Sequence, residues 1–245
     1  MPRPPRFTYA RAVHHVTLRC NNREFLFTEP SLAVFVELLC EARSRFPLSL
    51  YNYCLMTNHV HLLFRVGRDD TLSRAMHWLS TSLVKRFNRE TGRVGHLWGQ
   101  RFRSTIIEDD AYFFRGMAYV DLNPVRAGMV SSPADYSWSG HRALRDEDGS
   151  RLDLHPLYLE LGAGPASRYR AYSDMLLAEL ARPPVPLATK YFVGRPGFVH
   201  RMEARFGLRI RRGYLEWQPL DGGVVASGPR TGGKPGRNDQ LRRKS

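Results

Sequence analysis

The 245-residue chain is 42% hydrophobic and 11% aromatic, enough for a packed core, which excludes a wholly disordered protein. It carries 37 Lys plus Arg against 23 Asp plus Glu, a net charge of +14 and a pI near 10.2, an excess that favours a polyanionic partner, nucleic acid first. No stretch approaches the roughly 20 apolar residues of a membrane span, the basic N-terminal segment lacks the apolar region of a signal peptide, and Cys20, Cys40 and Cys54 form no C-x-x-C pair; the expectation is a cytoplasmic protein without a disulfide framework or structural zinc site.

The stretch Tyr9 to Arg19 alternates with β-branched residues and predicts a first strand, closed by the turn-prone Cys20-Asn21-Asn22. Leu32, Phe35, Val36 and Leu39 then recur at helical spacing after Pro30-Ser31, and Pro47 stops the pattern. Leu48 to Met56 and His59 to Val66 predict a hairpin around Thr57-Asn58. Leu72, Met76, Leu79, Leu83 and Phe87 mark a long amphipathic helix, followed by a loop from Gly92 to Gly99 and a strand over Phe102 to Ile107. A third helix should begin near Asp109 and turn Phe113, Met117 and Val120 inward. Strands interleaved with helices predict an α+β sandwich, helices packed on a mainly antiparallel sheet. Beyond about Leu144 the character changes: a charged, Gly-containing linker over 145–151, helical patterns at Ser167 to Leu180 and Gly197 to Phe206, and a Gly-, Pro- and Arg-rich end. The expected division is a catalytic-size domain over 1–145, a helical extension over 146–221 and a flexible basic tail over 222–245.

His59-Val60-His61 is the most informative spacing. On a strand, i and i+2 share a face, so the two imidazoles stand side by side while Val60, Leu62, Phe64 and Val66 enter the core. Two neutral imidazoles so placed make half of a metal site; on this motif alone, a pair of solvent-facing or structurally bonded histidines is the competing reading. Tyr119 and Asn123, at i and i+4 on a helix, form a second constellation, and Tyr112 and Arg115 extend its stripe. A tyrosine can be a covalent nucleophile and an amide oxygen can complete a hard-metal site, while a core-edge tyrosine before an Asn-Pro helix end is the plainer alternative.

Four blocks taken together are far more specific: Leu55-Met56-Thr57-Asn58-His59-Val60-His61-Leu62-Leu63, Leu97-Trp98-Gly99-Gln100-Arg101-Phe102-Arg103-Ser104, Ala118 to Gly128 with Asn123-Pro124-Val125-Arg126, and Tyr136-Ser137-Trp138-Ser139-Gly140-His141-Arg142. Over roughly residues 8–145 the chain resembles the single-tyrosine HUH transposases, within them the REP-associated tyrosine transposases. The resemblance implies a ferredoxin-like or RRM-like domain that nicks and rejoins single-stranded DNA near a hairpin, as monomer or homodimer. It implies His59 and His61 as metal ligands for Mg²⁺ or Mn²⁺, Asn123 as a third polar ligand and Tyr119 as the nucleophile that forms a 5′-phosphotyrosine. Two departures stand out: Cys20 precedes the asparagines where many relatives have glycine, and in the extension only Gly233 to Arg237 is similar.

Substrate contacts are expected from Arg65, Arg74, Lys85, Arg86, Arg101, Arg103, Arg115 and Arg126 on phosphates, with Trp98, Phe102 or Trp78 stacking on unpaired bases; solvated helix faces and a packed Trp98 are the structural counterparts of these readings. No P-loop is present, in keeping with a transesterification that needs no ATP. Two other functions compete: a non-catalytic nucleic-acid-binding regulator on the same fold, and a metal-dependent phosphoesterase with no covalent step. Tyr119 argues against the second, and the intact set His59, His61, Tyr119 and Asn123 against the first.

Overall fold

A computed structural model describes residues 6–145, 151–183, 187, 190–211 and 214–217. The chain divides into a unit spanning Arg6–His200 and a second that includes Arg201 onward. The basic tail expected over 222–245, and most of the expected linker, lie outside the described residues.

In the first unit β1 (Val13–Arg19), α1 (Glu29–Arg45), β2 (Leu48–Leu55), β3 (His59–Val66), α2 (Thr71–Thr91) and β4 (Arg103–Ile107) follow one another as βαββαβ. Their spatial order β2-β3-β1-β4, with every neighbour antiparallel, is the ferredoxin-like arrangement. After it come α3 (Ala111–Asp121), α4 (Asn123–Arg126), α5 (Gly140–Arg145), α6 (Pro156–Leu159) and α7 (Pro165–Leu180). Then β5 (Phe192–Val193) adds to β4 in parallel, which makes the five-stranded sheet mixed, and α8 (Pro196–Arg205) begins in this unit and runs on past its last residue, His200. The second unit holds the antiparallel ribbon β6 (Leu208–Arg211) and β7 (Tyr214–Trp217). The fold is α+β, and no helix among the described residues is long and apolar enough to cross a membrane.

Local chemistry explains the elements. Ser31 closes the N-terminus of α1: its hydroxyl accepts from the Thr28 N–H at 2.9 Å and donates to the Thr28 carbonyl at 2.8 Å, with Pro30 in the first turn. Helix α2 stops at Gly92, whose φ of 66° suits the left-handed end. Asp110 caps α3 by accepting from the Tyr112 N–H at 3.0 Å. Strand β1 starts at Val13 rather than at Tyr9, because Arg11 sits at φ 70° and Ala12 donates back to the Tyr9 carbonyl, a turn that alternation in the sequence does not reveal.

Pairing register sorts the two faces. His15, Thr17 and Arg19 of β1 lie opposite Leu63, His61 and His59 of β3, and α3 covers this face: Gly116 lies against Ile107 and Leu63, and the Met117 carbonyl accepts from the Asn52 amide. Val16, Leu18, Val60, Leu62 and Phe64 point the other way and are buried, Leu18 sharing a cleft with Met76 and Ser80 of α2. Each such fully buried aliphatic or aromatic side chain contributes about 1.5–3 kcal/mol.

Residues beyond 145 belong to this unit's packing. Asp153 accepts a two-pronged bond from Arg43, both contacts at 2.9 Å, and also the Leu50 N–H at 2.8 Å. Tyr172 of α7 donates to buried Asp121 at 2.6 Å, at the very end of α3. Thr105 of β4 donates to the carbonyls of Leu187 and Lys190, and Arg195 closes on Glu108 and Asp110.

Candidate active site

His59 and His61 share one face of β3, as strand alternation requires, with ring centroids 4.9 Å apart. His61 is 3% exposed; His59, at the mouth, is half-buried. Each ring is held at Nδ1. Asn58, in the turn before β3, donates its amide to the Arg23 carbonyl at 2.9 Å, which leaves its Oδ1 to accept from His59 Nδ1 at 2.7 Å. His61 Nδ1 meets His15 Nε2 at 2.9 Å, deep in the sheet. The Nε2 of His61 is buried and has no hydrogen-bond partner.

Electrostatics keep both rings neutral at physiological pH. Burial lowers the His59 pKa to about 4, helped by the Arg19 cation across the strand pair. Burial likewise holds His61 well below its usual value, with His15, His59 and Arg19 pushing the same way. Neutral imidazoles keep a lone pair free for an electrophile.

Helix α3 brings Tyr119 against His61 and His15. Its ring stands edge-on to His61, centroids 5.6 Å apart, and to His15 at 5.2 Å. Burial raises the phenol pKa, and the Arg126 and Arg19 cations offset part of that rise. Asn123 opens α4 after a break at Leu122, so it does not continue α3 as expected; its amide donates to the Tyr119 carbonyl at 2.6 Å, which ties it to the same turn and leaves Oδ1 as the free acceptor. Arg126 lies close enough to be coupled to Tyr119, and its Nη2 is buried without a partner.

The other expected contact residues divide by face. Arg103 sits opposite Thr17 on the histidine face, and Arg101 precedes it, exposed. Arg115 of α3 pairs with Glu179 at 3.5 Å and stacks over Tyr112 at 5.6 Å. Arg65 stands six residues along β3 from His59, about 20 Å away by strand rise, beside the Tyr51 hydroxyl. Lys85 and Arg86 are on α2, on the opposite side of the sheet, and Arg86 is shared by Glu37 and Glu41. Trp98 bridges to Cys20, packs on Phe27 and Phe35, and donates from Nε1 to the Ser80 carbonyl at 3.4 Å. With Phe102, Arg101 and Met76 it lines a cleft of about 210 Å³. His15, Arg19 and Asn58 were not singled out by sequence reasoning; the signal for the first two is the β1–β3 register, which no local pattern contains.

Gly116 lets α3 sit low enough for Tyr119 to reach the histidines: a Cβ there would lie 2.7 Å from Ile107 Cδ1. That atom ends a flexible side chain, so Gly116→Ala is expected to cost less than about 1 kcal/mol and to leave the site intact, whereas β-branched Gly116→Val must lift the helix, at about 1–3 kcal/mol. Urea unfolding measures the cost of both variants, and a Val variant as stable as the wild type refutes the close-approach argument.

Known proteins share parts of this sequence and this fold. Residues 8–122 match the family model described as "Transposase IS200 like". A Haemophilus influenzae protein assigned to the REP-associated tyrosine transposases is 26% identical over 113 residues, 42% of this chain and 64% of that one, so the match spans less than two thirds of the relative. The solved structure of a REP-associated tyrosine transposase bound to a REP hairpin superposes with a TM-score of 0.50 at 20% identity, covering 62% of this chain and 89% of the other, and so shares its fold. Over residues 8–122 this chain is therefore similar to the IS200-like transposases, with a REP-associated tyrosine transposase among the relatives it matches.

Proposed function

We propose that the protein is a metal-dependent, single-strand DNA nicking and joining enzyme that acts beside DNA hairpins, with Tyr119 as nucleophile. The observation that carries this reading is the Tyr119 ring set against His61, whose Nε2 is buried and unpartnered. An orphaned nitrogen there costs stability unless it serves a ligand. Among the described residues no group of three or more His, Cys, Asp and Glu could hold a metal; the two imidazoles therefore need an oxygen donor of another type, for which the Asn123 amide is the nearest in sequence to Tyr119. Of the two ions the resemblance implies, that N₂O set suits Mn²⁺ better than the harder Mg²⁺. Mg²⁺ or Mn²⁺ held by His59, His61 and Asn123 would neutralise charge on the non-bridging oxygens of the scissile phosphate.

The chain's own groups do the rest. Tyr119 Oη forms the bond to phosphorus as the bond to the 3′ oxygen breaks; the phenolic proton passes to water, and the departing oxygen takes up a proton to become a 3′-OH. The 5′-phosphotyrosine retains the energy of the phosphodiester, so a 3′-OH can reverse the step and join strands. Arg126 donates to the phosphate from Nη2 and favours the phenolate as it forms. Arg19 and Arg103 line the approach on the same face, where they contact the flanking phosphates. Hairpin DNA enters as the substrate class because the neighbour that shares this fold was solved with a REP hairpin.

End-labelled single-stranded hairpin DNA, mixed with the protein and Mn²⁺, is expected to yield a denaturant-resistant adduct that disappears in EDTA. His59→Ala and His61→Ala should each lower adduct formation by orders of magnitude, and Asn123→Ala by less. Binding without adduct would leave the non-catalytic regulator standing, and nicking without adduct the phosphoesterase; cleavage unchanged by EDTA would remove the metal.

A further inference from the structure

Resting on the reading of His59 and His61 as ligands, we infer that His15 is a positioning residue: its Nε2 accepts the Nδ1 proton of His61 and so fixes the tautomer in which His61 Nε2 carries the lone pair.

Two imidazoles 2.9 Å apart can share only one proton along the line between them. Either His61 donates from Nδ1, or His15 donates from Nε2. In the second case the proton of neutral His61 sits on Nε2, which is buried and has no acceptor. A buried N–H without a partner is a costly defect, whereas a lone pair at that point is what a ligand nitrogen requires. His15 is 1% exposed and His61 3%, so water does not compete for either nitrogen.

Parity between the two candidate ligands supports the same assignment. His59 is held at Nδ1 by the Asn58 oxygen, an acceptor whose own amide is fixed on the Arg23 carbonyl. His61 is held at Nδ1 as well, by His15. Both rings therefore offer Nε2, the pattern by which a second layer of hydrogen bonds sets ligand tautomer and ring orientation. The fold builds this contact from register. His15 stands opposite Leu63, and Thr17 opposite His61, so His15 is the diagonal neighbour of His61 on the covered face. Its ring lies nearly parallel to that of His61, at 13° and 5.2 Å between centroids, and Tyr119 abuts both edge-on. Moving His15 thus shifts the ligand ring and the nucleophile's support together.

The full-length protein tests the inference without DNA. In metal-free, ¹⁵N-labelled wild type, long-range proton–nitrogen correlation is expected to find His61 protonated at Nδ1; protonation at Nε2 overturns the inference, whatever the protein does with metal. Mn²⁺ affinity, read by the paramagnetic resonance of the free ion, should fall about 10- to 100-fold in His15→Leu. His15→Gln, whose Oε1 reaches the position of the lost Nε2, should restore most of it, and the shorter His15→Asn should not. Wild-type affinity in His15→Leu, or no difference between the Gln and Leu variants, overturns it too. If His61→Ala leaves Mn²⁺ binding untouched, the ligand assignment itself fails, and the tautomer measurement still decides what His15 does.

Discussion

Tyr119→Phe is expected to abolish the covalent DNA adduct, by at least about three orders of magnitude, while hairpin binding changes little. The substitution removes one oxygen and keeps the ring, and the ring is what packs edge-on against His15 and His61. Because that ring is partly withdrawn from water, deleting a hydroxyl whose ionised form burial disfavours has a small effect on folding. Tyr112 is a poor substitute nucleophile: seven residues earlier on α3, it lies about 10 Å along the helix axis, under the Arg115 guanidinium. Adduct persisting in Tyr119→Phe, mapped by mass spectrometry to Tyr112, would refute the assignment. In the wild type the same burial sets a pH dependence. The phenol pKa lies above its ordinary value, so the reactive phenolate grows tenfold per pH unit through the neutral range, and single-turnover rates should rise up to about pH 9 where folding and DNA binding are unaffected.

Legibility in the sequence followed the range of the interactions. The two-residue period of His59 to Val66 and the helical spacing in α1, α2 and α3 are local; they gave the strands and helices of an α+β sandwich and put the two histidines on one face, while the ferredoxin-like order came only with the family resemblance. His15 could not be read that way. Its meaning depends on β1 pairing with β3 in a register that joins residues 46 apart, and an unpaired β1 offers His14 and His15 equally. Register also divides the arginines: Arg103 reaches the histidine face through the β1–β4 ladder, while Arg86 belongs to a helix on the other side with two carboxylate neighbours. Cys20, flagged as a departure, fits its turn. Asn22 and Arg23 take the left-handed backbone at φ 50° and 59°, so glycine is not needed at position 20, where φ is −60°. The contribution of residues 151–195 was the least visible. Strand β5 has two residues, too few to show a period, and the Arg43–Asp153 pair spans 110 positions.

Acid should unfold the protein at mildly low pH, with a midpoint of about pH 5 in EDTA. Burial lowers the pKa of His14 and His15 to about 3, of His59 and His141 to about 4, and of His61 well below its usual value. In the unfolded chain each titrates near 6.5. Between about pH 6.5 and 4 the unfolded state therefore binds up to five protons that the native state refuses, so stability falls as pH falls, by about 1.4 kcal/mol per pH unit for each histidine. Asp121 works in the opposite sense. Burial raises its pKa to about 7 although the Tyr172 hydroxyl donates to it, so over the same window the native state holds a proton that the unfolded carboxylate releases. Five against one leaves a net slope approaching about 5 kcal/mol per pH unit. Set against a typical stability of about 5–15 kcal/mol, one to three pH units below the histidine range suffice to unfold the chain. His141 isolates the cause: both its ring nitrogens are buried without partners, so His141→Leu removes one titrating group and no hydrogen bond. Urea midpoints at about pH 7.5 and pH 5.5 should drop steeply for the wild type and less steeply for this variant. Equal wild-type midpoints at the two pH values would mean that the buried histidines are not held neutral, and the lone pairs invoked for His59 and His61 would go with them.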